Sequence, residues 1–528
     1  MAKILISDKL AEEGVAILKA VKEFQVDCKY GLKPDELKNI IKGYDALIIR
    51  SGTEVTADII EAADKLKFIG RAGVGLDNVD LKAATKKGIV AMNTPGGNTT
   101  STAEHTMSLI LALTRNIPQA HASLKSGKWE RSKFMGVELY GKILGVVGLG
   151  RIGSAVSKMA KSFGMKIVAY DPFISVEIAS KMEVELVELK ELFTRADYIT
   201  VHTPKSDETK SLISDKEFAI MKKGVRIVNC ARGGIIDEAA LVKAVKDGKV
   251  GAFALDVFEE EPVSPDSPLL KFDNCVVTPH LGASTSEAQV NVAIEIAETV
   301  KNALLGKGII NAANFPSVDP ATYKVLEPYI NLAERMGRFA GQLIEGRTSE
   351  IKITYSGVVT QYKAAPISMA MVYGVLSPIL GETVNFINAL DVAKSRAIKI
   401  EEVSLTGEEE FVNLISLSVK TDKETLTLWG TLSGNKQPRI VKVNNVYVEA
   451  TPSGYMLFIN NDDKPGIVGA VGTILGEAKI NIAGITFGRE APGGLAVSVV
   501  NVDSKISDEV LEKLRKTKNI LFVKLIKV

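Results

Sequence analysis

Residues 142–153 read KILGVVGLGRIG. An apolar run that suits a buried strand breaks into three glycines, Gly148, Gly150 and Gly153, in the pattern G-x-G-x-x-G. The pattern alone is weak, but here it follows a predicted strand and opens a predicted helix, as its mechanism requires. Gly148 permits the tight turn and Gly150 lets a pyrophosphate approach the backbone. Gly153 lets helix and strand pack closely, and the helix N-terminus offers free N–H groups to phosphate. Asp171 follows Gly153 by 18 residues, at the end of the next predicted strand. A carboxylate there can hold the ribose hydroxyls of NAD and repels a 2′-phosphate. The next residues, Pro172 to Ser175, include no Arg or Lys to receive that phosphate, so NAD is expected over NADP.

Outward from this unit the same alternation continues. KIVAYD, YITVHT, VRIVNCA, AFALDVF and CVVTPH read as strands separated by helices, which implies a parallel sheet. After His280, the spacing Ser284-x-x-Glu287 predicts a capping box, and Ala293, Ile296, Ala297, Val300 and Leu304 form one apolar helical stripe. The first 100 residues also alternate, with KILIS, ALIIR, KFIGRA and GIVAMN as strands. Residues 306–322 are rich in Gly, Pro and Asn and read as a linker, followed by a long helix over 324–346 and mixed α and β up to about 450. The last segment has the order β-α-β-β-α-β of a ferredoxin-like unit. The fold class is therefore α/β, with two doubly wound parallel sheets, an α+β intervening domain and a ferredoxin-like terminal domain.

Composition narrows the function. A chain of 528 residues suggests about three or four domains. Lys plus Arg number 65 and Asp plus Glu 63, a balance that gives no electrostatic reason for a nucleic-acid or membrane partner. Residues 364–381 approach the length of a membrane span, but Pro366, Gly374, Ser377 and Pro378 interrupt them, so a packed helix with turns is expected. Cys28, Cys230 and Cys275 have no metal-ligand spacing, and no metal is expected. So sparse a set, with no signal peptide, suits a reducing cytoplasm.

In open parallel sheets, ligands sit beyond the carboxyl ends of the strands. Those ends supply Arg50, Arg71 and Asn93 in the first unit, and His202, Arg232, Asp256, Glu259 to Glu261 and His280 in the second. Arg50 and Arg71 on neighbouring strands suit an anionic substrate. Hydride exchange with a 2-hydroxy acid needs an acid/base for the hydroxyl proton and a cation for the carboxylate. Histidine and arginine fit, with a nearby carboxylate to stabilise the imidazolium. On these grounds His202 and His280 compete. His105, inside a helix, reads as structural, and Cys230 as a buried strand residue.

The ordered motifs GLGRIG, NCARGGIIDE (229–238), ALDVFEEEP (254–262) and TPHLGAST (278–285) resemble the D-isomer-specific 2-hydroxyacid dehydrogenases along essentially the whole chain. RAGVGLDNVD (71–80) and KWERSKFMG (128–136) resemble the branch that acts on 3-phosphoglycerate at the start of L-serine synthesis. The resemblance implies His280 as acid/base, Glu261 as its partner and Arg232 for substrate orientation. Around NAD it implies Gly148, Gly150, Arg151, Ile152, Gly153, Asp171, Thr203, Cys230, Ala231, Arg232, Asp256, His280, Gly282 and Ala283. It implies Arg50 and Arg71 at the substrate phosphate or carboxylate, with Arg131 or Lys133 reaching in from a partner subunit of a dimer or tetramer. It further implies a discontinuous substrate domain (1–97 and 281–308), an NAD domain (98–280), a regulatory intervening domain (318–450) and an ACT domain (452–528).

In the ACT unit, Asp463 and Asn481 fall at positions that bind L-serine in amino-acid-sensing relatives. Asn461 replaces a histidine found in some of them. Arg335, Arg338, Lys436 and Arg439 are candidates for an anion site in the intervening domain. The alternatives are another NAD-dependent D-2-hydroxyacid dehydrogenase, for glycerate or lactate, and a non-enzymatic NAD-sensing corepressor-like protein.

Overall fold

The computed structural model describes residues 1–405, 413–434 and 436–528. The first sheet comprises β1 (Ala2–Ile6), β2 (Phe24–Cys28), β3 (Ala46–Ile49), β4 (Phe68–Arg71) and β5 (Val90–Met92), all parallel, in the order β2-β1-β3-β4-β5. The fully apolar strand ALII of β3 is buried along its whole length, as a strand covered on both faces must be. β2 is the edge strand, and its mixed FQVDC sequence gave no apolar run to recognise.

The second sheet comprises β6 (Ile143–Val147), β7 (Lys166–Tyr170), β8 (Glu185–Leu186), β9 (Tyr198–Val201), β10 (Val225–Asn229), β11 (Val250–Leu255) and β12 (Cys275–Val277). Its order, β12-β11-β10-β9-β6-β7-β8, reverses between β6 and β9. That reversal is the switch point where a doubly wound sheet opens a crevice.

Two crossings join these units. Helix Thr99–Arg115 packs its Ala103, Met107, Ile110 and Leu113 into the core of the second sheet. Helix Ser286–Leu304 carries Val292, Ala293, Ile296, Ala297 and Val300 back into the core of the first. Where the crossings pass, Ser101 Oγ and Thr285 Oγ1 lie 2.7 Å apart. The cap of the second helix differs from the predicted box. Thr285, not Ser284, is the N-cap, and its hydroxyl accepts from the Ala288 N–H at 3.1 Å. The chain enters one residue later because Ser284 is held in the preceding turn, its N–H donating to Leu281 O.

The third sheet comprises β13 (Thr348–Gly357), β14 (Lys399–Leu405), β15 (Asn413–Thr421), β16 (Thr425–Ser433), β17 (Gln437–Val443) and β18 (Val446–Ala450), in the order β14-β13-β15-β16-β17-β18. Helix Pro320–Leu343 lies against helix Ala365–Leu380. The second helix runs unbroken through Gly374, Ser377 and Pro378, where the sequence predicts interruptions. Gly374 is instead a packing contact: a Cβ there would collide with Glu334 O, as Cβ atoms on Gly337 and Gly341 would with Met371 O and Val375 O. Together with the turn that follows, up to Thr383, the stretch is long and apolar enough to cross a membrane, but more than half of it is buried inside the protein.

The fourth sheet comprises β19 (Tyr455–Asp462), β20 (Ile482–Arg489), β21 (Leu495–Val502) and β22 (Ile520–Lys527), antiparallel in the order β20-β21-β19-β22. One face carries two helices, with Val471, Leu475, Leu511 and Leu514 in the core between. The other face, through Met456, Phe458, Val497, Val499 and Ile526, enters the same core as helix Pro320–Leu343.

Candidate active site

A cleft of about 600 Å³ lies between the first two sheets. At its back, Gly148 adopts a left-handed φ of 93° and delivers the chain to helix Arg151–Ser162. Gly153 sits directly on Gly148 O, so any Cβ at that position would displace the turn. Gly150 is the N-cap and offers no side chain, which leaves the first N–H groups of the helix free for a ligand. Asp171, just past β7, accepts from the N–H groups of Leu149 at 2.8 Å and Phe173 at 2.9 Å.

Ten of the predicted cofactor residues line the cleft: Arg151, Ile152, Thr203, Cys230, Ala231, Arg232, Asp256, His280, Gly282 and Ala283. Gly148, Gly150, Gly153 and Asp171 form the turn behind it. Three buried polar atoms of lining residues have no protein partner: Asn98 Oδ1, His202 Nδ1 and Thr203 Oγ1. Such atoms normally find a partner. A polar, extended ligand across the switch point suits all three, which fits NAD.

The loop after β12 carries His280 and is built around Asp256, at the end of β11. Asp256 is fully buried. Its carboxylate accepts from Leu281 N–H at 2.7 Å, Gly282 N–H at 2.8 Å and Thr278 Oγ1 at 2.6 Å, and lies 3.1 Å from His105 Nε2. Burial pushes its pKa up, but hydrogen bonds from His105, Thr278 and Leu281 outweigh that and leave it below the ordinary carboxylate range. The Asp256 side chain, which lines the cleft, also organises the loop that carries His280, and His105 belongs to that support. Neither role shows in sequence, because the partners are far apart along the chain.

His280 itself has φ 56°, unusual for a residue with a Cβ. Its main chain is pinned by donation to Asp256 O at 2.9 Å. This turns the imidazole outward, with Nδ1 2.7 Å from Glu261 Oε2. The other Glu261 oxygen accepts from Phe258 N–H at 3.0 Å. His202, the rival, is half-buried in the cleft wall, and desolvation there lowers its pKa to about 4. Its Nε2 contacts Thr200 Oγ1 at 3.0 Å. A ring that stays neutral in the wall is poorly placed to exchange protons with substrate. Burial pushes the Cys230 thiol up to about 12, against any nucleophilic use.

Arg232 enters the cleft from the end of β10 and pairs with Asp77 at 3.1 Å. Arg71 donates through Nε to Asn78 Oδ1 at 2.8 Å, and Asn78 in turn donates to Arg50 O at 2.7 Å. Burial, then the charges of Arg232 and Arg50, lower the Arg71 pKa. Three arginines thus share one corner. Arg50 and Arg71 stand behind the cleft lining, and Arg50 Nη1 donates to Lys9 O at 3.1 Å. Arg131 and Lys133 lie exposed on a short turn, Arg131–Phe134, outside this chain's cleft.

Tyr455 of β19 and Ile482 of β20 both pair with Val502, whereas Asp462 pairs with Leu495 and Arg489 with Ala496. Asp463 and Asn481 therefore lie at opposite ends of the sheet. Asp463 accepts from Gly493 N–H and Arg489 Nη1, both at 3.0 Å, and Asn481 donates to Asp503 at 2.7 Å. In the intervening domain three of the candidate cations have separate protein partners. Arg335 donates to Pro452 O, Arg338 to Glu334 and Tyr373, and Arg439 to Pro438 O and Gln437.

A glycine-rich helix start at the switch point, with a histidine–carboxylate pair and an arginine facing it, defines an NAD-dependent D-isomer specific 2-hydroxyacid dehydrogenase. The NAD-binding domain of that family matches residues 107–282. The D-3-phosphoglycerate dehydrogenase intervening domain matches 325–444, and the ACT domain 455–519. A D-3-phosphoglycerate dehydrogenase of Methanocaldococcus jannaschii is 47% identical over 98% of each chain, and one of Archaeoglobus fulgidus is 45% identical over 98% of each. A D-lactate dehydrogenase of Aquifex aeolicus, solved with NAD and lactic acid, superposes with a TM-score of 0.54 at 28% identity, covering 60% of this chain and 100% of its own. The chain belongs to the D-3-phosphoglycerate dehydrogenase family, in its long form with intervening and ACT domains.

Proposed function

We propose that the protein oxidises 3-phospho-D-glycerate to 3-phosphohydroxypyruvate, the first step of the phosphorylated route to L-serine. The observation that carries this reading is the convergence of Arg50 and Arg71 on Arg232, which lines the same cleft as His280, itself paired with Glu261. NAD, when bound, supplies the hydride acceptor. Arg232 holds the substrate carboxylate by its guanidinium fork. Arg71 and Arg50 receive the phosphate. His280 Nε2 takes the C2 hydroxyl proton, and Glu261 fixes the ring and stabilises the imidazolium that forms. Asp171 holds the adenosine ribose. The boundaries proposed for the units are 1–97 with 281–308, 98–280, 318–450 and 452–528, in a cytoplasmic homo-oligomer.

The ACT domain is proposed to bind L-serine between two copies of the chain. Asp463 and Asn481 are at opposite ends of one sheet, so a site that uses both needs a second subunit. Turnover of 3-phosphoglycerate with NAD tests the main reading. Substitution Arg71→Ala should raise KM for 3-phosphoglycerate far more than for D-glycerate. Equal losses would remove Arg71 from the phosphate.

A further inference from the structure

Arg232 has two edges that can grip a carboxylate with paired N–H groups. On the first, Nε donates to Asp77 Oδ2 at 3.1 Å, and Nη1 also donates to Ala231 O at 2.7 Å. A substrate carboxylate that takes the Nε edge must therefore displace Asp77. Ala231 O is backbone at the end of β10 and cannot leave without unwinding the strand end, where Asn229 Nδ2 also grips Arg232 O at 2.9 Å. Asp77 is different. It stands on the loop between β4 and helix Leu81–Lys87, and its side chain is 60% exposed, against 26% for Arg232.

The surroundings explain why a carboxylate stands there. Arg71 feels both Arg232 and Arg50 as repulsive neighbours, and Asp77 is the stronger of two carboxylates that offset them. The other, Asp8, already accepts from Arg50 N–H, Thr53 N–H and the Thr53 hydroxyl. The loop also places Gly75 directly on Arg232 Nη2, where any Cβ would collide with the guanidinium. Loop and arginine thus meet closely.

We propose that Asp77 is an internal stand-in for the substrate carboxylate. It pairs with Arg232 in the substrate-free cleft and is displaced when substrate binds. Asp77 is thus a positioning residue that competes with substrate, and its pairing lowers apparent affinity while keeping the arginine corner charge-compensated. The proposal rests on Arg232 being the carboxylate-binding residue.

Calorimetric titration of the NADH-loaded enzyme tests it, with D-glycerate and 3-phosphoglycerate as probes. An exposed ion pair contributes little, so Asp77→Asn should tighten both ligands by about two- to five-fold. Asp77→Ser, which removes the charge in a smaller side chain, should give the same gain. Unchanged or weaker binding in both variants, with NADH affinity retained, overturns the stand-in role. Arg232→Ala separates that failure from failure of the underlying reading. If glycerate binding survives Arg232→Ala, the carboxylate seat lies elsewhere. If it is lost while the Asp77 variants bind no tighter, only the stand-in falls.

Discussion

Asp256 and His105, 151 positions apart in sequence, meet at 3.1 Å beneath the loop that carries His280. The aspartate is buried and also gathers the N–H groups of Leu281 and Gly282, so it fixes the direction in which His280 points.

An Asp256→Asn variant should therefore lose activity without losing any group that touches substrate. The amide keeps one acceptor but presents a donor to N–H groups. A loop displaced by about 1 Å can cost about 10²-fold in kcat. Steady-state kinetics would show the fall, and a kcat within two-fold of wild type would reduce Asp256 to a fold residue.

The His280–Glu261 pair predicts a ranking. Removing a general base costs about 10²–10⁴-fold, so His280→Asn should be the most damaging change in kcat. Glu261→Gln keeps a hydrogen bond but loses the charge that assists it. A loss of roughly 10–100-fold is expected, from the 1.5–3 kcal/mol of a charge-assisted bond. His202→Asn should be milder than His280→Asn, and the opposite order would reassign the base.

Asp171 predicts cofactor choice. Its carboxylate is oriented by Leu149 and Phe173 N–H groups at the end of β7. Replacing it with Ala should lower kcat/KM for NAD by about tenfold and narrow the gap to NADP. Wild-type efficiency with NADP equal to that with NAD would dismiss the assignment.

His202 predicts an acid limit to stability. Its folded-state pKa of about 4 lies below its ordinary 6.5. Between those values the unfolded chain binds the proton that the folded chain refuses. Stability is thus complete above pH 6.5 and is lost as pH falls towards 4, by about 3 kcal/mol from this group. His202→Gln should flatten the dependence of the thermal midpoint on pH in that window. An unchanged slope would assign acid sensitivity to other groups.

For the ACT domain, full-length protein titrated with L-serine should show binding that Asn481→Ala abolishes. If wild type takes up no serine at millimolar concentration, the domain serves another ligand or none.

Much of the dinucleotide half was legible because local signals agreed. Gly148, Gly150 and Gly153 lie in one turn, and the apolar strands around them are buried on both faces. His280, Arg232 and Glu261 were visible as polar residues at strand ends. What stayed hidden depends on distance. Asn78 links Arg71 to Arg50, and Asp256 links His105 to the loop that carries His280, through contacts that no local pattern announces. Gly374 was misread for the same reason: a glycine in an apolar helix breaks it or lets a neighbour approach, and only the facing Glu334 backbone decides which.

The shared core at the C-terminal end sets the unit in which this protein can be divided. Met456, Phe458, Val497, Val499 and Ile526 are covered by the intervening domain. An ACT fragment cut near residue 452 would present that apolar face to water and associate through it. Deletion or transplantation should treat residues from about 320 to the C-terminus as one module. A chimera that exchanges only the ACT sequence must match a foreign sheet to this chain's helix Pro320–Leu343 before any effector response can be read from it.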